Sequence, residues 1–238
     1  MSKSHLFFKP TLYIVMAIYI AFTFAFLAMG DRVIAATIPE DHYFELITSL
    51  ALFVTACLFF YGFWMARTSI AKTRVSLIKQ VVYLGLALLF FFGAGEEISW
   101  GQRIFGFETP EAIAEANKQE EFNAHNLAAW QNIDFLNANT LFDAFWFLFA
   151  VFTPAVAIIA PSFKQFAGRY IPIVYWGLGL LFLYNYLWAK VAKVVYQAAY
   201  TFDRISLTQA VQEIKESNYA VIFILVGLFA VLDLKNSK

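Results

Sequence analysis

Six apolar runs alternate along this chain with polar stretches too hydrophilic to cross a bilayer. The runs cover residues 11–29, 43–66, 76–95, 141–160, 172–189 and 219–233. At ~1.5 Å of rise per residue, the 19 residues from Thr11 to Met29 are long enough for a transmembrane helix. A cleaved leader is the alternative for this first run. Its apolar core would span only roughly 7–15 residues, so a retained helix is the expectation. The uninterrupted part of the third run, Val81 to Gly95, is short. Its helix should therefore start near Val75, with Lys79 snorkelling, or leave Glu96 and Glu97 slightly below the far surface. Pro154 should kink the fourth run. The sixth reads as the shortest, because Lys190 to Asn218 looks too polar to span. Within that stretch Ser206 and Gln209 are spaced as a capping box.

Between the third and fourth runs, residues 96–140 form a polar block with no spanning segment. Thr109, Pro110 and Glu111 predict a helix start there, with Thr as the cap, Pro at the first position and an acid at the positive end of the dipole. That helix is expected to reach about Asn126 and to lie at the interface. The fold expected is all-α: one polytopic transmembrane domain over residues 1–238, with interfacial helices in its longer loops.

Six spans put both termini on one side, and the basic residues say which. Lys3, Lys9, Arg67, Lys72, Arg74, Lys79, Lys164, Arg169, Lys235 and Lys238 fall on the side of the termini, in short segments. The other side has the remaining seven of 17, spread over longer loops. Short basic loops face the cytoplasm, so the expected topology is N-in and C-in, with the polar block outside.

Composition reinforces the class. The 238 residues are 61% hydrophobic and 14% charged, where a soluble domain has roughly 25% charged. The lipid bilayer is thus a partner by necessity. A net charge of zero argues against nucleic acid. The single Cys57 excludes an intrachain disulfide.

Candidate chemistry concentrates in the polar block. Glu96 and Glu97 end an apolar helix, where carboxylates are expensive unless they serve a purpose. On a continuing helix Glu96, Trp100 and Arg103 would share a face, so Arg103 could pair with Glu96. Asn117, Glu121 and His125 would share a face of the following helix. Four readings stay open. Glu97 or Glu96 could act as a general base with His125 as acid or partner, while Arg103, Trp100, Gln102, Asn117, Asn123 and Asn126 bind substrate. Glu121 and His125, with Glu96 or Glu97, could ligate a divalent metal. The same groups could bind a polar head group or a sugar without chemistry. Or they could be a hydrogen-bond network tying the loop to the bundle. Glu97 is the carboxylate expected to work, since Glu96 has Arg103 as its geometric partner. Asn185, inside an apolar helix, should bond a neighbouring helix.

GEEISWGQRIFGFETPE, NKQEEFNAHN and EDHYFELITSL resemble segments of an uncharacterised group of bacterial multi-pass membrane proteins. That resemblance implies a bacterial inner (plasma) membrane and supplies no activity. Glu96-Glu97 also resembles the opening of the Glu-Glu-x-x-x-Arg motif of the CPBP glutamic intramembrane proteases. Here Gly101 stands at the arginine position and Arg103 follows two residues late. Phe122 and His125 are one residue too close for the family's Phe-x-x-x-His, and Ala129 replaces the asparagine of its His-x-x-x-Asn. Together these readings define a membrane protein with a polar extracytoplasmic site, either a hydrolase or transferase on a lipid-linked substrate or a non-catalytic accessory subunit, binding protein or transporter docking a membrane partner.

Overall fold

Each apolar run folds as a helix, as hydrocarbon requires of a segment that must satisfy its own backbone. The structure, a computed structural model, describes residues 3–30, 32, 43–67, 74–117, 120–124, 126–131, 137–199 and 204–236. Six helices are long and apolar enough to cross a membrane: Pro10–Met29, Tyr43–Arg67, Ser76–Glu97, Ala138–Ile159, Trp176–Ala199 and Ser206–Asn236. They are called the first to sixth spans below. Among the described residues there is no strand, and Asn117 and Leu127 form an isolated bridge. The protein is an all-α polytopic membrane protein.

The sixth span is the axis of the bundle. It packs along the second, which packs along the third, while the fifth leans on the sixth, the first and the fourth. Phe223, fully buried, sits 4.8 Å from the ring centroids of both Phe90 and Phe182 and so joins the third, fifth and sixth spans. The fourth and fifth spans approach closely at Gly179. A Cβ there would lie 2.4 Å from the Ala150 carbonyl oxygen, so no larger residue fits. Outward faces carry side chains such as Ile14, Ile18, Phe22, Leu50 and Val194, all exposed, which is the surface lipid covers.

Three expectations are corrected. The sixth helix is the longest, not the shortest: it runs Arg204–Asn236, and Gln209, Gln212, Glu213, Glu216 and Asn218 lie inside it. Those polar groups do not break the helix, because it satisfies its own backbone and their side chains find internal partners or the cavity described below. Ser206 consequently is within the helix rather than its cap. The fifth span starts at Trp176 instead of Pro172 and continues through Lys190, whose ammonium lies 5.2 Å from the Tyr186 ring centroid, to Ala199. The bend foreseen at Pro154 takes the form of a π-helical turn, Phe147–Phe152, just ahead of it.

Asn185 bonds across helices as anticipated. Its Nδ2 donates to the Lys215 carbonyl oxygen at 2.8 Å, and its Oδ1 accepts from Asn218 at 3.0 Å. Asn218 also donates to Thr23 Oγ1 at 2.9 Å, so one polar thread links the first, fifth and sixth spans.

Candidate functional site

The site begins where the third span stops. Its helix ends at Glu97, and Ser99, Trp100 and Gly101 follow with φ of 45°, 55° and 78°. A run of left-handed residues cannot continue a helix, so the chain doubles back. Trp100 folds over Gly95, where a Cβ would sit 2.8 Å from the indole. Its Nε1–H donates to Glu96 Oε1 at 2.7 Å. Glu96 and Trp100 therefore meet, though not on one helix face as expected. Arg103 follows in a separate short helix, Gln102–Phe105, for which the Arg103 backbone alone is described. The expected Glu96–Arg103 pair is thus outside the described structure.

The second predicted helix is also cut short. Helix Glu111–Ala114 spans four residues, with Pro110 at its N-cap. The Thr109 hydroxyl, instead of capping, accepts from Gln102 Nε2 at 2.7 Å. Beyond Ala114 the chain turns, so Asn117 and Glu121 are held by a loop and not by one helical face. His125 lies outside the described residues.

What the loop forms is a closed set of hydrogen bonds. Glu121 Oε2 accepts from Ser99 Oγ at 2.9 Å and from Asn123 Nδ2 at 2.7 Å. Asn117 Nδ2 donates to Asn123 Oδ1 at 2.8 Å and to its carbonyl at 3.0 Å. The Asn126 N–H donates to the same Oδ1 at 3.4 Å. Gln102 Oε1 accepts the Phe122 N–H at 2.8 Å, and Glu96 Oε2 accepts the Ala124 N–H at 2.7 Å. Glu96, Ser99, Asn117, Glu121, Asn123 and Asn126 are all buried. Burial at this cost is stable because each group has a partner. Of the residues expected to bind substrate, Trp100, Gln102, Asn117, Asn123 and Asn126 make hydrogen bonds within the block itself.

Below this network lies a cavity of about 830 Å³. Glu96, Ser99, Glu121 and Asn126 reach it from the block, and Glu97 from the end of the third span. The second span adds Glu45 and Thr48, and the sixth adds Thr208, Gln209, Gln212, Glu213 and Glu216. Apolar walls come from Leu52, Leu89, Phe90, Phe92, Leu141, Phe142 and Phe145. Six glutamates therefore line one space, and among the described residues no Lys or Arg lines it. The Gln212 amide donates to Glu216 Oε1. Lys215, on the same helix, pairs instead with Asp143 at 3.6 Å, away from the lining set.

Glu213 and Glu216 are site residues that the block alone does not reveal. The signal was present: Thr208, Gln212 and Glu216, with Gln209 and Glu213 beside them, repeat at helical spacing and form a polar stripe. Among the described residues no group of three or more His, Cys, Asp or Glu is placed to hold a metal ion. Glu121 Oε2 accepts from Ser99 and Asn123, and the other expected ligand, His125, lies outside the described residues.

The cavity's rim is apolar. Leu89 and Phe92 of the third span and Leu141 of the fourth line it and are exposed. Phe90 and Phe145 bring those two spans together, at 6.0 Å between ring centroids.

Comparison with protein-family models, with curated proteins and with solved structures finds no match.

Proposed function

We propose that this cavity binds a membrane-dissolved, lipid-type substrate, and that the protein acts on it as a membrane-embedded hydrolase or transferase. The observation that carries the reading is the pairing of an acid-lined interior with an apolar, exposed rim between two spans. A polar head could enter sideways from the bilayer with its tail against Leu89, Phe92 and Leu141. The volume falls within the roughly 300–1,000 Å³ of small-molecule sites. Glu97 is the working carboxylate, positioned to take a proton from water or a substrate hydroxyl. Glu96 is a positioning residue that fastens the loop through Ala124 and Trp100. The rest of the block is the scaffold of the cavity's roof. By the bias of short basic loops this face is extracytoplasmic, and the resemblance above points to a bacterial inner membrane.

A photoreactive test separates this reading from a purely structural one. The full chain in nanodiscs is exposed to an uncharged alkyl glycoside bearing a diazirine in its chain. Labelling should concentrate on the peptides covering Leu89–Glu96 and Ala138–Phe145. Even labelling of all six spans would overturn the proposal.

A further inference from the structure

We propose that the cavity selects an amphiphile whose head group is an organic cation, an amine or a quaternary ammonium. This rests on the reading above that the cavity takes a lipid-type molecule, and it narrows the chemical class.

The inference comes from the whole lining of the cavity, not from the acids alone. Glu45, Glu97, Glu213 and Glu216 reach it from three different spans, and among the described residues no Lys or Arg lines it. No hydrogen bond or ion pair among the described residues ties Glu97 or Glu213. Carboxylates withdrawn from bulk water need positive charge or donors nearby. The base closest in sequence, Lys215, is committed to Asp143 and lies 5.9 Å from the Tyr219 ring centroid. A cation that enters would supply Glu97 and Glu213 with the opposite charge that no described lining residue offers them.

The kind of charge follows from spacing and from the walls. The described donors do not converge as a metal site would. They come from three spans, which suits a bulky cation with diffuse charge. Phe90, Phe92, Phe142 and Phe145 line the same cavity, and aromatic faces attract ammonium groups within about 6 Å. The same rings accept hydrocarbon. An anionic head would meet like charge on several sides.

Three photoreactive probes with one identical alkyl chain test this. They carry a trimethylammonium, an uncharged maltoside or a sulfate head. Each is added to the full chain in phosphatidylcholine nanodiscs, and labelling of the cavity peptides is normalised to the probe present in the disc. The ammonium probe should label about tenfold more than the maltoside at low salt, and the sulfate least. Its advantage should shrink as salt rises and drop severalfold in Glu213→Gln and in Glu97→Gln. Equal labelling by ammonium and maltoside would overturn the cationic head while leaving the lipid-type cavity standing. Absence of cavity labelling by every probe would remove both. A preference that survives both substitutions in folded protein would also overturn the assignment. If either variant fails to fold, competition on the wild-type protein decides. There tetramethylammonium should displace the ammonium probe and leave the maltoside in place, and failure to displace it counts against the proposal.

Discussion

In the loop from Glu96 to Leu127, buried carboxylates and amides face one another. On the sixth span, Glu213 lines the cavity with no hydrogen bond or ion pair among the described residues, beside Gln212, which donates to Glu216. Both regions place acidic and amide side chains beside apolar helices. In the loop, Glu121 receives two donors and Glu96 receives one on each oxygen. On the sixth span the glutamates join Glu45 and Glu97 around a space that no described Lys or Arg lines. The difference separates two reasons for accepting a costly group near hydrocarbon. Where every acceptor is matched, the group holds the fold. Where a carboxylate such as that of Glu213 lines a cavity without a described partner, our proposal has it meet what enters.

The largest effect should come from Glu96→Ala. It orphans the Trp100 indole N–H and the Ala124 N–H, at roughly 1–3 kcal/mol each. Thermal unfolding of the purified protein in detergent should show a loss of about 3 kcal/mol or more. Glu96→Gln, which keeps one acceptor oxygen, should lose about half of that. A stable Glu96→Ala protein would erase the contrast between the two regions.

Asn123→Ala comes next. It removes donors to Glu121 and Ser99 and an acceptor for Asn117, for a cost of about 2 kcal/mol. Gln209→Ala on the cavity wall should cost less than about 0.5 kcal/mol in the same assay. Equal losses would mean that the sixth-span stripe is as structural as the loop.

Smaller again is the coupling of Lys215 with Asp143. Their 3.6 Å contact is partly exposed on the Asp143 side, so a double-mutant cycle should give about 0.5–1 kcal/mol. Coupling of Lys215 to Glu213 in place of Asp143 would make the lysine a counter-ion of the cavity. That result would sharpen the comparison at the expense of the cationic head group.

Much of this architecture was legible in the sequence, and for a definite reason. Hydrocarbon admits few backbone solutions, so apolar length nearly suffices to place spans such as Tyr43–Arg67 and Ser76–Glu97. That Glu96, Glu97 and the amides would gather beside the end of a span could also be read, since such groups are rare there. What could not be read was conformation inside the block. Glu96 and Trp100 have helical spacing, yet they meet through a left-handed turn at Ser99 and Trp100, residues with no marked preference for it. The cut at Tyr219 hid Glu213 and Glu216, because hydropathy averages a helix over all its faces. The polar stripe of the sixth span occupies one face of a helix that is apolar elsewhere.

The smallest expected change in stability, and the most informative, belongs to Glu97→Gln. Glu97 directly follows Glu96 in sequence, but about 100° of helical rotation turns it from the loop toward the cavity. Gln has nearly the same shape and removes the negative charge together with the capacity to act as a base. Since no hydrogen bond or ion pair holds Glu97 among the described residues, the change should alter unfolding by less than about 0.5 kcal/mol. It should nevertheless abolish the protein's cellular activity, scored as failure to complement a deletion strain at normal protein level. Glu97→Asp, which keeps the charge but retracts it by one methylene, should complement in part. A Glu97→Gln protein that unfolds like Glu96→Ala would put both glutamates on the structural side. One that folds and complements fully would place the chemistry elsewhere on the cavity wall, with Glu213 the next carboxylate to test.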